Sequence, residues 1–309
     1  MSVLEVEPPV AGPDEVVIDV AVAGIGGSEY LGYNNPGIRT LPNIMGHGFA
    51  GTTAEGRRVA VNPLRSCGTC EYCRRELRQL CNDWHLIGVQ SDGGFAQQVA
   101  VPEETLVTLP DDLGWEQAAF VEPFANAVNA WELSGADGGC SVAILGAGGL
   151  GLGLVACAAG AGCAQIAVSD LSQTRLDAAA ELGAATCGND TETHPEGSYD
   201  SYDVVFDTVG SVDSRRRAID LTRKAGTCVL MGFAAPDLEA NAGAFIRSQR
   251  RLLGAFVYSM TQFQTAVSLA ARCKADWVAN LSFAEVEPLL QRYLEGDFST
   301  VKAALRPNG

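Results

Sequence analysis

Cys67, Cys70, Cys73 and Cys81 follow one another as C-x2-C-x2-C-x7-C. Four thiolates on so short a stretch can meet tetrahedrally around one Zn²⁺. Four sulfurs leave no coordination position for water or substrate, so such a centre is structural. Arg65, Arg74, Arg75 and Arg78 lie nearby and offset the negative charge of the thiolates. The same donors suit an iron–sulfur cluster, and unligated thiols are the third alternative. The six other cysteines, at 140, 157, 163, 187, 228 and 273, stand among small apolar residues and read as buried, inert thiols. A disulfide framework belongs to small secreted chains rather than to one of 309 residues.

A second pattern concerns phosphate. Gly146-Ala147-Gly148-Gly149-Leu150-Gly151 fits G-x-G-x-x-G. Alone the motif is weak, but here it follows the apolar run Ser141–Leu145 and opens a helical stretch. The first glycine permits a tight turn, the second lets backbone approach a pyrophosphate, and the third lets helix and strand pack closely. The phosphates then face the positive end of the helix. Asp170 ends the next strand, where a carboxylate can accept both ribose hydroxyls and repel a 2′-phosphate. That favours NAD over NADP, although Arg175, five residues on, relaxes the choice and leaves NADP open. A glycine-rich turn without a ligand is the bland alternative.

These sites need elements to hold them. Residues 14–22 read as a strand from their β-branched content, broken by Gly24, Gly26 and Gly27. Short strand signals recur over 42–62 and 94–109, so the first 120 or so residues are expected to be β-rich and irregular. From Gln117 the apolar spacing turns helical, to Leu133. Then strands and helices alternate: strands at Ser141–Leu145, Gln165–Ser169, Tyr202–Asp207 and Thr227–Met231, helices at Leu150–Gly160, Leu171–Leu182 and Ser214–Thr222. Asp170 or Ser172 is a candidate cap for the second of these helices. Such alternation predicts βαβ units and a parallel sheet. Asn189–Asp200 is polar and reads as a surface loop.

The net charge is −16, which repels nucleic-acid phosphates and anionic lipid and argues against both as partners. Hydrophobic residues make up 47% and charged residues 19%, enough apolar mass for a large core. Cys140 to Ser169 carries no charged residue and is long enough to span a bilayer. Its seven glycines cluster around a tight-turn pattern and favour a buried strand–turn–helix instead. The opening Met1 to Val10 has no basic segment, so a cytoplasmic location is expected.

Together these features resemble the zinc-containing medium-chain dehydrogenases, the alcohol and polyol dehydrogenase superfamily, over nearly the whole chain. Gly24-Ile25-Gly26-Gly27-Ser28-Glu29-Tyr30-Leu31 stands where that family has G-I-C-G-S-D-x-H, and Gly46-His47-Gly48 where it has G-H-E. The four-cysteine lobe, Asp92-Gly93-Gly94-Phe95-Ala96 and Val121-Glu122-Pro123 follow in the family's order. Phe206-Asp207-Thr208-Val209-Gly210 and Met231-Gly232 look like further cofactor contacts. Ala304-Leu305-Arg306-Pro307 resembles the closing motif, whose Arg faces the cofactor pyrophosphate. The resemblance implies an α/β architecture: a doubly wound Rossmann sheet plus a β-rich GroES-like catalytic domain. It implies a catalytic domain over 1–122, an NAD(P)-binding domain over 123–256 and a return to the catalytic domain over 257–309. Cofactor-binding residues are expected at Gly146, Gly148, Gly149, Gly151, Asp170, Arg175, Thr208, Val209, Gly232 and Arg306. It also implies a small-molecule substrate and a homodimer or homotetramer assembled through the Rossmann sheet edge.

The departures bear on the chemistry. In the family a Cys, a His and a Cys or Glu hold the catalytic zinc. Here the Cys position is Gly26, while His47 and Glu122 persist. The Glu after the His is Gly48, the relay His is Leu31 and the motif Asp is Glu29. A catalytic zinc normally needs three protein ligands, so the expected complement is one structural zinc and no catalytic one. Ser28, Tyr30, His47 and Glu122 are then the candidate catalytic residues of a zinc-free hydride transferase acting on a ketone–alcohol pair or a conjugated carbonyl. Two other readings stand beside it. Zinc bound by His47 and Glu122, with Glu29 or water replacing the Cys, would make an ordinary polyol or secondary-alcohol dehydrogenase. A fold that has lost its chemistry would make a non-catalytic NAD(H)-binding protein. The Glu-Pro pair resembles the polyol and threonine dehydrogenase branch, which suggests a sugar- or cyclitol-like substrate in specialised biosynthesis.

Overall fold

The computed structural model describes residues 1–309 except 36, 38 and 190–199. Most of the stretch expected to form a polar loop, with His194 in it, lies outside the described residues. The chain divides into two compact units: Met1–Pro123 with Tyr258–Gly309, and Phe124–Val257.

The first unit is built on a seven-stranded sheet. Its strands are β1 (Glu15–Ile25), β2 (Phe49–Thr53), β3 (Arg58–Val61), β4 (Gln98–Pro102) and β5 (Leu106–Thr108), joined by two late strands, Val278–Leu281 and Lys302–Leu305. β1 is central. Its first half pairs with β4, its middle with β2 and its end with Lys302–Leu305, all antiparallel. Ile18, Val20, Ala23 and Ile25 enter a core with Phe49, Val59, Val61, Leu289 and Leu290. The expected break at Gly24 does not occur: the strand runs on to Ile25. A Cβ at Gly24 would lie 2.9 Å from the Ala119 carbonyl and 3.1 Å from the Lys302 side chain, so glycine is there for close approach. Helix α1 (Gly27–Asn34) leaves directly from the end of β1.

The second unit holds six parallel strands: β6 (Ser141–Leu145), β7 (Gln165–Ser169), β8 (Thr186–Gly188), β9 (Tyr202–Asp207), β10 (Thr222–Leu230) and β11 (Arg251–Gly254). Their order is β8-β7-β6-β9-β10-β11, the doubly wound order that reverses beside the first strand. Val142 to Leu145 are all buried, as expected of a parallel sheet covered on both faces. Helix α2 (Val121–Ser134) precedes β6, and helix α3 (Gly149–Ala161) follows it. A Cβ at Gly153 would lie 2.7 Å from the Ala127 Cβ and 3.0 Å from the Phe124 ring. Gly153 thus lets α3 lie close against α2. Among the described residues, no helix is long and apolar enough to cross a membrane. With the remaining strands numbered in chain order, Val278–Leu281 is β12 and Lys302–Leu305 is β13, which pair in parallel. β12 leads into helix α4 (Phe283–Leu294).

Candidate active site and metal centre

Elements far apart in sequence carry the charged groups of one buried cluster in the first unit. β1 ends at Ile25 and α1 begins at Gly27, so Glu29 sits in the first turn of that helix. The loop before β2 brings His47 beside β1, with the Gly24 amide donating to the Gly48 carbonyl at 2.8 Å. Glu122 lies in the first turn of α2. A Cβ on Gly48 would stand 3.0 Å from that of Glu122, so a bare backbone lets the His47 loop approach the helix.

Glu29 Oε2 accepts from the Gly26 amide at 2.9 Å, and its Oε1 lies 2.5 Å from His47 Nδ1. The other ring nitrogen, Nε2, lies 3.5 Å from Glu122 Oε2. The Tyr258 hydroxyl donates to Glu122 Oε1 at 3.1 Å. Lys302, on β13, donates from Nζ to the Ile25 carbonyl at 3.2 Å. All of these side chains are buried or nearly so. Burial alone would depress the His47 pKa, but the two carboxylates prevail and raise it to about 10. Burial likewise pushes Glu29 and Glu122 up, and the His47 charge overcomes it, holding Glu29 at about 2 and Glu122 below the usual carboxylate range. Tyr258 is raised well above the usual phenol range, first by burial and then by Glu122, so it remains a donor. The two glutamates therefore hold an imidazolium between them.

Of the candidate catalytic residues, His47 and Glu122 are brought together. Ser28 is exposed, one residue from Glu29. Tyr30 is placed elsewhere: its ring packs edge-on against Tyr293 at 6.1 Å and Phe298 at 5.9 Å. Glu29 was legible only as a departure from a motif. Lys302 and Tyr258 carried no sequence signal at all, since an isolated Lys or Tyr fits any surface.

The cysteine lobe has a different character. Cys67 and Cys73 sulfurs are 3.9 Å apart, Cys70 and Cys81 3.8 Å, and all four lie within 4.8 Å of one another. A tetrahedron with Zn–S bonds of about 2.3 Å has edges of about 3.8 Å. Amides of Cys67 and Asp83 donate to the Cys81 sulfur, and that of Cys70 to the Cys67 sulfur, each at 3.3 Å. Such donors suit thiolates, and those of Thr69 and Cys70 help hold the Cys67 thiol down at about 6. The lobe fits one structural Zn²⁺. Among the described residues, these cysteines alone bring three or more ligand atoms so close together.

In the second unit, the glycine loop turns tightly against its neighbours. Gly146 has φ +98°, and a Cβ there would lie 2.5 Å from Thr208 Oγ1. A Cβ on Gly151 would lie 1.9 Å from the Gly146 carbonyl oxygen. Gly148 caps α3 with no side chain in the way, and Gly149 is the first helical residue. The Asp170 carboxylate accepts from Ala147 N at 2.7 Å and Ser172 N at 2.8 Å, fixing it between the loop and the next helix. A Cβ on Gly148 would be 3.9 Å from Arg175 Nη1. Thr208 Oγ1 donates to the Leu145 carbonyl at 2.8 Å. The buried Asp207 accepts from the amides of Val209 and Gly210 and shapes that turn. Gly232 lies against the same turn, where a Cβ would be 2.2 Å from the Val209 carbonyl carbon. Arg215, which sequence reasoning missed, donates to the Gly232 carbonyl at 3.0 Å. Arg306, in the first unit, pairs with Glu116 at 3.0 Å.

Family models agree with both halves. Residues 12–111 match the alcohol dehydrogenase GroES-like domain, and 149–272 match the zinc-binding dehydrogenase domain. The chain is 31% identical to sorbitol dehydrogenase of Bacillus subtilis (strain 168), over 80% of this chain and 76% of that one. It belongs to the zinc-type medium-chain alcohol dehydrogenase superfamily. A zinc-binding dehydrogenase of Sinorhizobium meliloti 1021, solved with NADP, superposes with a TM-score of 0.87 at 27% identity, covering 98% of this chain and 94% of that one. An Escherichia coli CFT073 alcohol dehydrogenase, solved with NADH, gives 0.87 at 25% identity, covering 99% and 95%. This dehydrogenase is thus an NAD(P)-dependent oxidoreductase that acts on a small molecule.

Proposed function

We propose that this dehydrogenase interconverts a ketone and a secondary alcohol of the polyol class without a catalytic zinc, with His47 as the polar partner of the substrate oxygen. One observation carries the reading: His47 is clamped between Glu29 and Glu122, while position 26 supplies no ligand. Two protein donors fall short of the three a catalytic zinc normally has. When bound, the nicotinamide supplies or accepts the hydride. Gly146, Gly148, Gly149 and Gly151 would cradle the dinucleotide's pyrophosphate, Asp170 would hold the ribose with Arg175 beside it, and Thr208, Val209 and Gly232 would line the approach of the ring. Arg306, paired here with Glu116, would be a further partner of the pyrophosphate.

In the reducing direction, negative charge grows on the substrate oxygen and needs a donor. Glu29 keeps the Nδ1 proton in place, whereas Nε2 has only a loose 3.5 Å contact and can turn its proton to the substrate. Tyr258 holds Glu122 ready to draw the imidazole back. The Ser28 hydroxyl adds a second donor. A donor of this kind contributes about 3 kcal/mol to a transition state. Losing a Lewis acid favours activated ketones or conjugated carbonyls over simple alcohols. A sugar- or cyclitol-like ketone is the class we favour, in line with the sorbitol dehydrogenase relative. The outer strand β11 offers an edge for assembly into dimers or tetramers in the cytoplasm.

Zinc per chain, measured on protein purified without added metal, tests the reading together with NADH-dependent reduction of polyhydroxylated ketones. About one equivalent, held by the cysteine lobe, with activity that added zinc does not change, is the expected result. About two equivalents, with sorbitol-type oxidation lost on chelation, would overturn it in favour of a zinc polyol dehydrogenase.

A further inference from the structure

We infer that Arg215 is a positioning residue of the cofactor site: its buried guanidinium staples the loop 232–237 against the turn 208–210 and so fixes the seat of the nicotinamide half of the dinucleotide. The inference rests on the reading above that Thr208, Val209 and Gly232 line the approach of the ring, and it is independent of any metal at His47.

In a doubly wound sheet the ligand lies outside the carboxyl ends of the strands, across the point where the strand order reverses. The glycine loop follows β6 and Asp170 follows β7. The turn 208–210 follows β9 and the loop 232–237 follows β10, on the other side of that point. Pyrophosphate and adenosine ribose fall to the first pair of segments, which leaves the nicotinamide to the second. The second pair interlocks. Gly210 has φ +79°, and a Cβ there would lie 2.1 Å from the Gly232 carbonyl carbon. The Gly232 amide donates to the Asp207 carbonyl at 3.1 Å, and the Ala235 amide to the Gly210 carbonyl at 2.8 Å.

Arg215 completes this joint. The helix Val212–Leu221 opens directly after the turn, where Ser211 Oγ accepts from the Ser214 amide at 3.0 Å. Its buried residues are Arg215, Ala218, Ile219 and Leu221, so an arginine stands at a position otherwise given to apolar side chains. Arg216, beside it, is exposed and pairs with Asp213. Helical side chains lean toward the N-terminus of their helix, here the end that meets the turn. From there Arg215 Nη1 donates to the Asp237 carbonyl at 2.6 Å and Nη2 to the Gly232 carbonyl at 3.0 Å. One rigid planar fork thus grips both ends of the loop 232–237. Both bonds go to main chain, so the guanidinium fixes the path of the backbone. Held in this way, the loop presents Phe233 and the turn presents Val209, apolar side chains left 68% and 43% exposed, which a planar ring can cover. A seat formed in advance spares the cost of ordering it on binding.

The test compares Arg215→Met, Arg215→Lys and Val209→Trp in the full-length protein. Each is titrated with NADH, read by its fluorescence, and with ADP-ribose, read by displacement of NADH. ADP-ribose keeps the adenosine, the pyrophosphate and the second ribose but has no nicotinamide. Arg215→Met should weaken NADH about tenfold, the scale of losing hydrogen bonds from a charged group, and change ADP-ribose less than about 3-fold. Arg215→Lys, whose single ammonium can keep one of the two carbonyls, should fall between the parent and Arg215→Met. If Arg215→Met fails to fold, Arg215→Gln carries the same comparison. Equal weakening of NADH and ADP-ribose would overturn the inference, because Arg215 would then support the domain as a whole. Parent-like NADH affinity in Arg215→Met, with NADH weakened in Val209→Trp, would overturn the inference and leave the placement of the ring standing. Parent-like NADH affinity in Val209→Trp would overturn that placement itself.

Discussion

The cysteine lobe and the His47 cluster are two gatherings of ligand-type side chains within one unit, organised in opposite ways. The lobe draws its donors from residues 67–81, and their spacing alone brings the sulfurs within 4.8 Å. The His47 cluster draws on α1, the loop before β2, the start of α2, the stretch before Met260 and β13. Its groups balance one another as ions and hydrogen bonds. The lobe is four like donors awaiting one cation, whereas the cluster already contains both signs of charge. A site whose groups satisfy one another has less need of a metal, and a site of like donors has more.

The sharpest way to break this contrast is to damage the lobe. Cys81→Ser should reduce bound zinc from about one equivalent to near zero, because a structural site needs all four ligands. Metal binding there is coupled to folding, so Tm should fall by about 10 °C or more, a few kcal/mol at this chain length. Metal analysis and calorimetry read both effects. An unchanged melt would mean that the lobe folds without metal and that the contrast is one of degree only.

His47→Gln should leave zinc content at the wild-type level, lower the melt because two buried carboxylates lose their imidazolium, and reduce kcat about 100-fold or more, the usual worth of a general acid–base group. Steady-state kinetics beside the melt separates a lost donor from a lost fold. A loss of kcat no larger than the unfolded fraction would show the cluster to be structural, like the lobe.

A third measurement concerns pH. His47 is raised from its ordinary 6.5 to about 10, so its stabilising contribution is complete below 6.5 and fades as pH climbs toward 10. Glu29 is lowered from 4.5 to about 2, so its contribution is complete above 4.5 and fades as pH falls toward 2. Urea midpoints across pH should therefore show a plateau near pH 5 to 6, and His47→Gln should remove most of the alkaline slope. A bound metal at His47 would hold the imidazole neutral and abolish that slope.

Smaller effects are expected further out. Asp170→Ala should move the preference for NADH over NADPH by about tenfold toward NADPH, equivalent to about 1.4 kcal/mol, as read from the ratio of kcat/KM values. Tyr258→Phe removes one hydrogen bond to Glu122, worth about 1 kcal/mol, and should lower kcat only several-fold.

Much of the second unit could be read directly. The strands Ser141–Leu145, Gln165–Ser169 and Tyr202–Asp207 were expected with the bounds they have, because continuous apolar runs flanked by glycine and polar residues leave little choice. The helix expected from Leu171 begins at Gln173, since Asp170 accepts from the Ser172 amide and holds the preceding turn open. The strand expected from Thr227 begins at Thr222, where pairing with Tyr202 across a register shift extends it. Both misses are local competitions that a hydrophobic pattern does not register.

By itself the sequence determined what depends on neighbours along the chain: the four-sulfur lobe, the glycine turn and its acid, and the absence of a thiol at position 26. Short spacing limits where backbone can go, so residue type and interval suffice. Only the tertiary structure decided what stands around His47. Lys302 meets a carbonyl 277 positions away, and Tyr258 meets a carboxylate 136 positions away. Those meetings exist because β13 lies beside β1 and the chain returns to the first unit at Tyr258. Buried charges find their partners through strand register and chain return, which no local interval encodes.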